Sequence, residues 1–300
     1  MMPDELQDMV AKNSAARVGI RHELNVCMAA GCQSCHGEAV LKALQAEGES
    51  RKLDGVSVRG VGGLGLCAEG PLVLIEPAHI LYQRVQAADA ADIVSALDGK
   101  PVRRLLCALE APFFNRQQFI VLENSGKIDP ERLEDYVAVG GYDALCKVLS
   151  EMEPAGVVSE VLASGLRGRG GAGFSTGLKW QMVAKATGGR KYIICNGDEG
   201  DPGAFMDRMI LESFPFRVIE GLAIAAVAVG AHEGVFYIRN EYPLAVKRVR
   251  AAIAQLEKRG WLGERLLGVG RPLTPALSPS DGEREVAASG KEGRAGRDRK

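Results

Sequence analysis

The sequence predicts an α/β protein of two units followed by a tail without fixed structure, and three observations carry that expectation. Between residues 18 and 97, apolar segments follow the order strand, helix, strand, hairpin of two strands, helix. Beyond residue 126, two short apolar strands, 192–195 and 235–238, each run into a polar turn and are interleaved with helix-period segments. From Arg271 onward Pro272, Pro275 and Pro279 give way to Ser, Gly and mixed charge with no aromatic residue, a composition that cannot bury a core.

The boundaries that follow are an extension over 1–16, a first unit over 17–99, a linker over 100–125, a second unit over 126–269 and the tail over 270–300. With 46% apolar residues in 300, two cores can be filled, and a net charge of −1 points to neither nucleic acid nor a membrane surface. The longest apolar stretch, 221–231, is too short to span a bilayer and reads as a core helix. The linker, with Pro101-Val-Arg-Arg and Ala111-Pro-Phe-Phe, is expected to wrap the second unit. A helix is expected over Pro243–Lys258, with Lys247, Arg248 and Arg250 on a solvated face.

In the first unit the strands fall at 18–26, 56–59, 72–75 and 80–85 and the helices at 36–44 and 87–97, a thioredoxin-like order. Seven cysteines without a long apolar N-terminus imply a reducing cytoplasm, where thiols bind metal or stay free. Cys27, Cys32, Cys35 and Cys67 lie in this unit. Cys107, Cys146 and Cys195 sit singly in apolar runs and read as buried small hydrophobes. His22, His79 and His232 are isolated and read as surface or capping residues.

Chemistry concentrates in residues 165–180, which hold six glycines within thirteen positions. Glycine tolerates φ > 0 and lets backbone N–H groups converge on one point, while Arg167, Arg169 and Lys179 add positive charge. Such a loop suits a phosphate. Gly168, Gly170 and Gly173 satisfy G-x-G-x-x-G, but the segment before them, 157–163, reads as a helix and not the strand a dinucleotide fingerprint needs. The P-loop pattern also fails, because Leu178 precedes Lys179. A plain hinge is the bland alternative, and Phe174, Lys179 and Trp180 argue against it. The strand at 192–195 ends in Asn196-Gly-Asp-Glu-Gly-Asp-Pro-Gly-Ala-Phe-Met-Asp-Arg208, and the strand at 235–238 ends in Asn240, Glu241 and Tyr242. Polar turns at carboxyl ends of strands are where open α/β sheets place ligands. The acceptors Asp198, Glu199 and Asp201 beside an anion loop fit a nucleotide or flavin, against the alternative of a plain surface turn.

These three segments together resemble the flavin- and NADH-binding subunit of respiratory complex I. The wording over 198–208 most resembles the diaphorase subunits of NAD-linked formate dehydrogenases and NAD(P)-reducing hydrogenases. Ile128-Asp-Pro-Glu and Gly140-Gly-Tyr-Asp-Ala-Leu add to the match, which runs from about residue 18 to about residue 268. The resemblance implies that Gly168, Arg169, Gly170 and Gly171 with Lys179 hold the FMN phosphate and ribityl chain. It implies that Asn196, Asp198 and Glu199 contact the flavin, with Tyr237, Glu241 and Tyr242 near its other side. Phe174 would face the adenine of NAD(H), and Asp201 would meet the dinucleotide. Hydride transfer would belong to the flavin, with no catalytic protein residue.

The first unit resembles the thioredoxin-like [2Fe–2S] ferredoxins that accompany these diaphorases. Their pattern implies Cys27, Cys32 and Cys67 as metal ligands. Gly63 stands where a further cysteine belongs, leaving Cys35 or His36 as substitutes. The alternatives are structural zinc on Cys27, Cys32, Cys35 and Cys67, or a docking domain without any cluster. The resemblance further implies a flavin-binding domain that is incomplete here, without the family's C-terminal [4Fe–4S] domain, and hence a truncated member. The function expected is FMN-dependent oxidation of NADH within a formate dehydrogenase, hydrogenase or complex I-like assembly. The alternatives are a docking subunit and a gene remnant.

Overall fold

The computed structural model describes residues 2–264, 266–268 and 274–277. Among the described residues it is an α/β structure with two sheets. The first unit comprises β1 (His22–Cys27), α2 (Ala30–Ser34), α3 (Gly37–Ser50), β2 (Val56–Val61), β3 (Val73–Glu76), β4 (Ile80–Tyr82) and α4 (Ala90–Ser95), preceded by α1 (Met2–Ala16). Its sheet order is β2-β1-β3-β4, with β1 and β2 parallel and the β3–β4 hairpin antiparallel. This is the thioredoxin-like arrangement expected. The core holds Leu24, Val26, Val40, Leu44, Val73, Ile75 and Ile93, so α3 and α4 bury their apolar stripes against the sheet.

The second unit runs through α6 (Leu133–Val137), α7 (Asp143–Glu151), α8 (Pro154–Ala163), α9 (Thr176–Lys185), β5 (Tyr192–Gly197), α10 (Met206–Ser213), α11 (Pro215–Val229), β6 (Glu233–Ile238), α12 (Pro243–Lys258) and β7 (Thr274–Leu277). The short α5 (Pro112–Asn115) precedes it. Strands β5, β6 and β7 form a parallel sheet in that order. Helix α11 is the core helix expected, apolar nearly all round, and Gly230 in the left-handed region ends it.

The structure corrects three expectations here. Thr274–Leu277 lie in the stretch expected to lack structure but pair with β6; the remainder of that stretch lies outside the described residues. The segment 100–125 does not simply wrap the second unit. Gln83 N–H donates to Leu105 O (2.8 Å) and Cys107 N–H to Leu81 O (2.8 Å), which extends the edge of the first sheet. The contact with the second unit comes later, where Arg217 bonds Val121 O (2.9 Å) and Glu123 (2.6 Å). Thirdly, Cys107, Cys146 and Cys195 are only partly buried, although each packs on an apolar cluster. Helix α1 meanwhile puts Leu6 and Met9, one turn apart, into the core of the second unit.

Candidate functional site

The glycine loop lies between α8 and α9, and its base is closed by a short hairpin. Arg167 pairs with Ser175, Gly168 N–H donates to Phe174 O (2.8 Å) and Thr176 N–H to Leu166 O (2.9 Å). Arg167 turns inward and donates to Gly173 O (3.0 Å), a structural task that removes it from the free charges. The chain reverses through Gly171 (φ +91°) and Gly173 (φ +62°), conformations that side chains with a Cβ disfavour. Between these fixed ends, the N–H groups of residues 169–173 have no backbone acceptor among the described residues. Arg169 and Lys179 are exposed, and neither has an ion-pair partner there. Ser175 caps α9, accepting from Leu178 N–H (3.3 Å), so the positive end of that helix's dipole adds to the loop. Free N–H groups and two unpaired cations form a donor set that fits the phosphate of FMN.

At the ends of β5 and β6, Asn196 Oδ1 accepts the Asp198 N–H (3.0 Å), folding the turn and leaving the amide NH2 exposed. Glu199 is a hub. Its carboxylate accepts Asp207 N–H (2.8 Å) and Arg208 N–H (3.1 Å) at the start of α10, and the Tyr242 hydroxyl (3.0 Å). Arg239 joins it by donating to Glu199 O (2.7 Å), while gripping Glu241 with two bonds of 2.9 and 3.2 Å. That pairing holds the Glu241 carboxyl below its usual range. The structure therefore brings Asn196, Asp198, Glu199, Glu241 and Tyr242 together. No hydrogen bond among the described residues joins them to Gly168, Arg169, Gly170, Gly171, Phe174 or Lys179. Asp201 is exposed in the intervening loop.

The parallel register explains a third feature. One face of β5 and β6 carries Ile193, Cys195, Phe236 and Ile238 into the core, and the opposite face carries Tyr192, Ile194, Asn196 and Tyr237. Tyr192, Ile194 and Tyr237 are 46%, 63% and 50% exposed, although parallel sheets ordinarily bury both faces. Burial pushes the Cys195 thiol up to about 11, so it is a packing group and not a nucleophile at neutral pH.

In the first unit Cys27 and Cys32 are buried in one apolar cluster. The neighbouring Cys32 thiol brings Cys27 down to about 7, while Cys27 and burial together raise Cys32. Cys67 lies nearby, its sulfur 3.3 Å from where a Cβ on Gly31 would stand. Cys35 is exposed. A [2Fe–2S] cluster takes four protein ligands. At Gly63 an added Cβ would stand 3.2 Å from Ser213 Oγ and 3.3 Å from both Ala29 Cβ and Met209 Cγ, so a side chain there is crowded by α10 and Ala29. Among the described residues no three His, Cys, Asp or Glu are arranged to hold a metal ion. The residues present do not fit the cluster.

The same contacts form a polar seam between the units. Gly63 N–H donates to Ser213 Oγ (2.7 Å) and Ala30 N–H to Glu212 Oε2 (2.9 Å). Arg248 donates to Glu212 O (2.7 Å) and Met28 O (2.9 Å) and is 3% exposed. It does not lie on a solvated face as expected. Glu212 is buried, and burial raises its carboxyl above the ordinary value of 4.5 despite the bond from Ala30 and the charges of Arg208 and Arg248. The unfolded chain then loses this proton at lower pH than the folded chain. Stability falls as pH rises from about 4.5 through the folded value and is level above it. Urea unfolding across that interval should show the slope, and Glu212→Gln should flatten it; an unchanged slope refutes the assignment to Glu212.

The second unit thus combines a parallel sheet whose strands end in polar turns with a glycine loop that opens a helix. Residues 161–290 match the Nuo51 FMN-binding domain. The chain is 52% identical over 155 residues to NADP-reducing hydrogenase subunit HndC of Solidesulfovibrio fructosivorans, covering 52% of this chain and 31% of that one. It is 33% identical over 209 residues to the alpha subunit of NAD-reducing hydrogenase HoxS of Cupriavidus necator, covering 68% and 34%. The chain thus spans about a third of the length of these curated relatives. Among solved structures, air-oxidized NAD+-reducing [NiFe]-hydrogenase aligns with 86% of this chain and 43% of its own at 23% identity, with a TM-score of 0.41. No helix among the described residues is long and apolar enough to cross a membrane.

Proposed function

We propose that this chain is a flavin-dependent NAD(P)H oxidoreductase subunit of the diaphorase kind. It would work in the cytoplasm, passing electrons between NADH and the iron–sulfur clusters of a hydrogenase, formate dehydrogenase or complex I-like assembly. The observation that carries this reading is the run of unpaired N–H groups over 169–173 with Arg169, Lys179 and the α9 N-terminus beside it. Bound FMN supplies hydride acceptance and single-electron release. The protein's share is to bind, orient and exclude water. Gly168, Arg169, Gly170, Gly171 and Lys179 hold the phosphate and ribityl chain. Asn196 and Asp198 present donor and acceptor groups to the flavin ring. Glu199, already engaged with α10 and Tyr242, is a positioning residue. Tyr237 and Glu241 flank the ring's other side, Phe174 (48% exposed) faces adenine, and Asp201 meets the ribose, where a carboxylate disfavours a 2′-phosphate and so favours NAD.

Anaerobic titration with NADH should bleach the bound flavin; flavin that binds but resists reduction refutes the oxidoreductase reading. Replacing Arg169 or Lys179 by alanine should each weaken FMN binding about 10-fold or more, the effect of one charge-assisted hydrogen bond of about 1.5–3 kcal/mol. Fluorescence titration with FMN measures it, and unchanged affinity in both variants removes the loop from the site. The seam around Arg248 favours a second reading, a non-catalytic docking subunit whose two units are locked as one surface. A folded, colourless protein that does not take up FMN would favour it.

A further inference from the structure

We propose that the cleft between the first sheet, the 100–125 segment and the start of α10 binds a small neutral aromatic molecule that carries a carbonyl oxygen. Strand alternation builds its floor. Val73, Ile75 and Tyr82 turn to the face that α3 and α4 cover, so Leu74 and Leu81, paired across β3 and β4, turn to the other. Phe114 and Phe119 line the cleft from the 100–125 segment, and Phe205 and Met206 line it from the start of α10. Together they enclose about 550 Å³, within the range of about 300–1,000 Å³ usual for small-molecule sites. Phe119, Phe205 and Met206 are exposed, which leaves an apolar way in. Three phenyl rings and a thioether favour an aromatic guest, because rings pack on rings and sulfur contacts ring edges.

The polar groups narrow the guest further. Gly126, at φ +73°, lays its turn on the floor, where an added Cβ would stand 3.4 Å from Leu74 Cδ2. Ser125 beside it lines the cleft, and its hydroxyl is buried without a hydrogen-bond partner among the described residues. An unmet buried hydroxyl is unfavourable, and rotation about one side-chain bond lets it donate to a carbonyl oxygen held in the cleft. The charges around the cleft cancel. Arg217 holds Glu123 (2.6 Å), and Glu76, bonded to His79 (3.2 Å), balances Lys127. An uncharged guest suits such a setting, whereas an ion would lose its hydration without gaining a counter-charge. None of Gly168, Arg169, Gly170, Gly171 or Lys179 lines this cleft, so the proposal stands apart from the flavin reading.

The test titrates the full chain with acetyl(dimethylamino)naphthalene, a neutral naphthyl ketone whose emission moves to the blue in apolar surroundings. Saturation at one dye per chain, with a blue shift, is expected. Ser125→Ala should weaken the dye about 5-fold, the loss of one neutral hydrogen bond, and Met206→Trp, which fills the entrance, about 10-fold or more. Thermal melting without dye separates binding from folding, because Ser125→Ala discards an unmet hydroxyl and should melt at or above the wild-type temperature. In competition, naphthalene sulfonate should displace the dye only at about 10-fold higher concentration than acetylnaphthalene, a ketone on the same ring system. Dye that never saturates, affinity unchanged in either variant, or a sulfonate that competes as well as the ketone would each overturn the proposal.

Discussion

Replacing Glu220 by alanine is expected to cost about 3–5 kcal/mol, a large part of the stability of a domain this size. Glu220 is 5% exposed on the face of α11 that meets α7. Its carboxylate accepts the Tyr142 N–H (2.9 Å) and Leu145 N–H (3.1 Å), both at the N-terminus of α7, together with the Tyr136 hydroxyl. Alanine leaves two backbone donors and a phenol buried without acceptors, in a core where Tyr136, Tyr142 and Trp261 pack edge to face. Burial, the larger cause of the raised Tyr136 phenol, persists in the variant, so the hydroxyl stays protonated with an unmet donor. Glu220→Gln keeps one acceptor oxygen and should lose less. Urea unfolding of both variants checks the order, and a cost under about 1 kcal/mol for alanine would show that the carboxylate is not what fixes α7.

Much of this fold was legible because apolar periodicity is a local signal. Helix α12 falls at the predicted Pro243–Lys258, and the two parallel strands lie within two residues of their expected bounds. Arg248 shows where a charge count misleads. It stands between Lys247 and Arg250 in a basic run, yet Ala245, Val249, Ala252, Ile253 and Leu256 form the buried stripe, and Arg248 falls within it at helical spacing. That spacing was readable; its partners were not, since Met28 O lies 220 positions away. A lone carboxylate amid the apolar residues of α11 is a comparable signal for Glu220. The crowding at Gly63 had no sequence signature, because it depends on how α10 meets the first unit. The strand at 274–277 escaped a compositional reading because Pro275 argues against a central strand but is tolerated at a sheet edge.

The glycines of the anion loop and of the helix it opens should separate into two groups on substitution, and Gly177→Ala, within α9, should be the most damaging. A Cβ at Gly177 would stand 2.4 Å from Leu162 Cα and 2.6 Å from Leu162 N, which are backbone atoms that cannot swing aside. Helix α9 must therefore move off α8, and these two helices anchor both ends of the loop. Overpacking of this kind costs about 1–3 kcal/mol, and here it also shifts the capped start of α9 relative to residues 168–171. Gly170 is the contrast, with φ outside the left-handed region and nothing within 4 Å of an added Cβ. Gly170→Ala should fold like wild type, so a loss of FMN binding there would report contact with ligand. Gly177→Ala should lower Tm and weaken FMN uptake together. If it left both unchanged, the close approach of α8 and α9 would not be what shapes the site. If Gly170→Ala proved the more destabilising of the two, the loop would be packed against other atoms and not open for a phosphate.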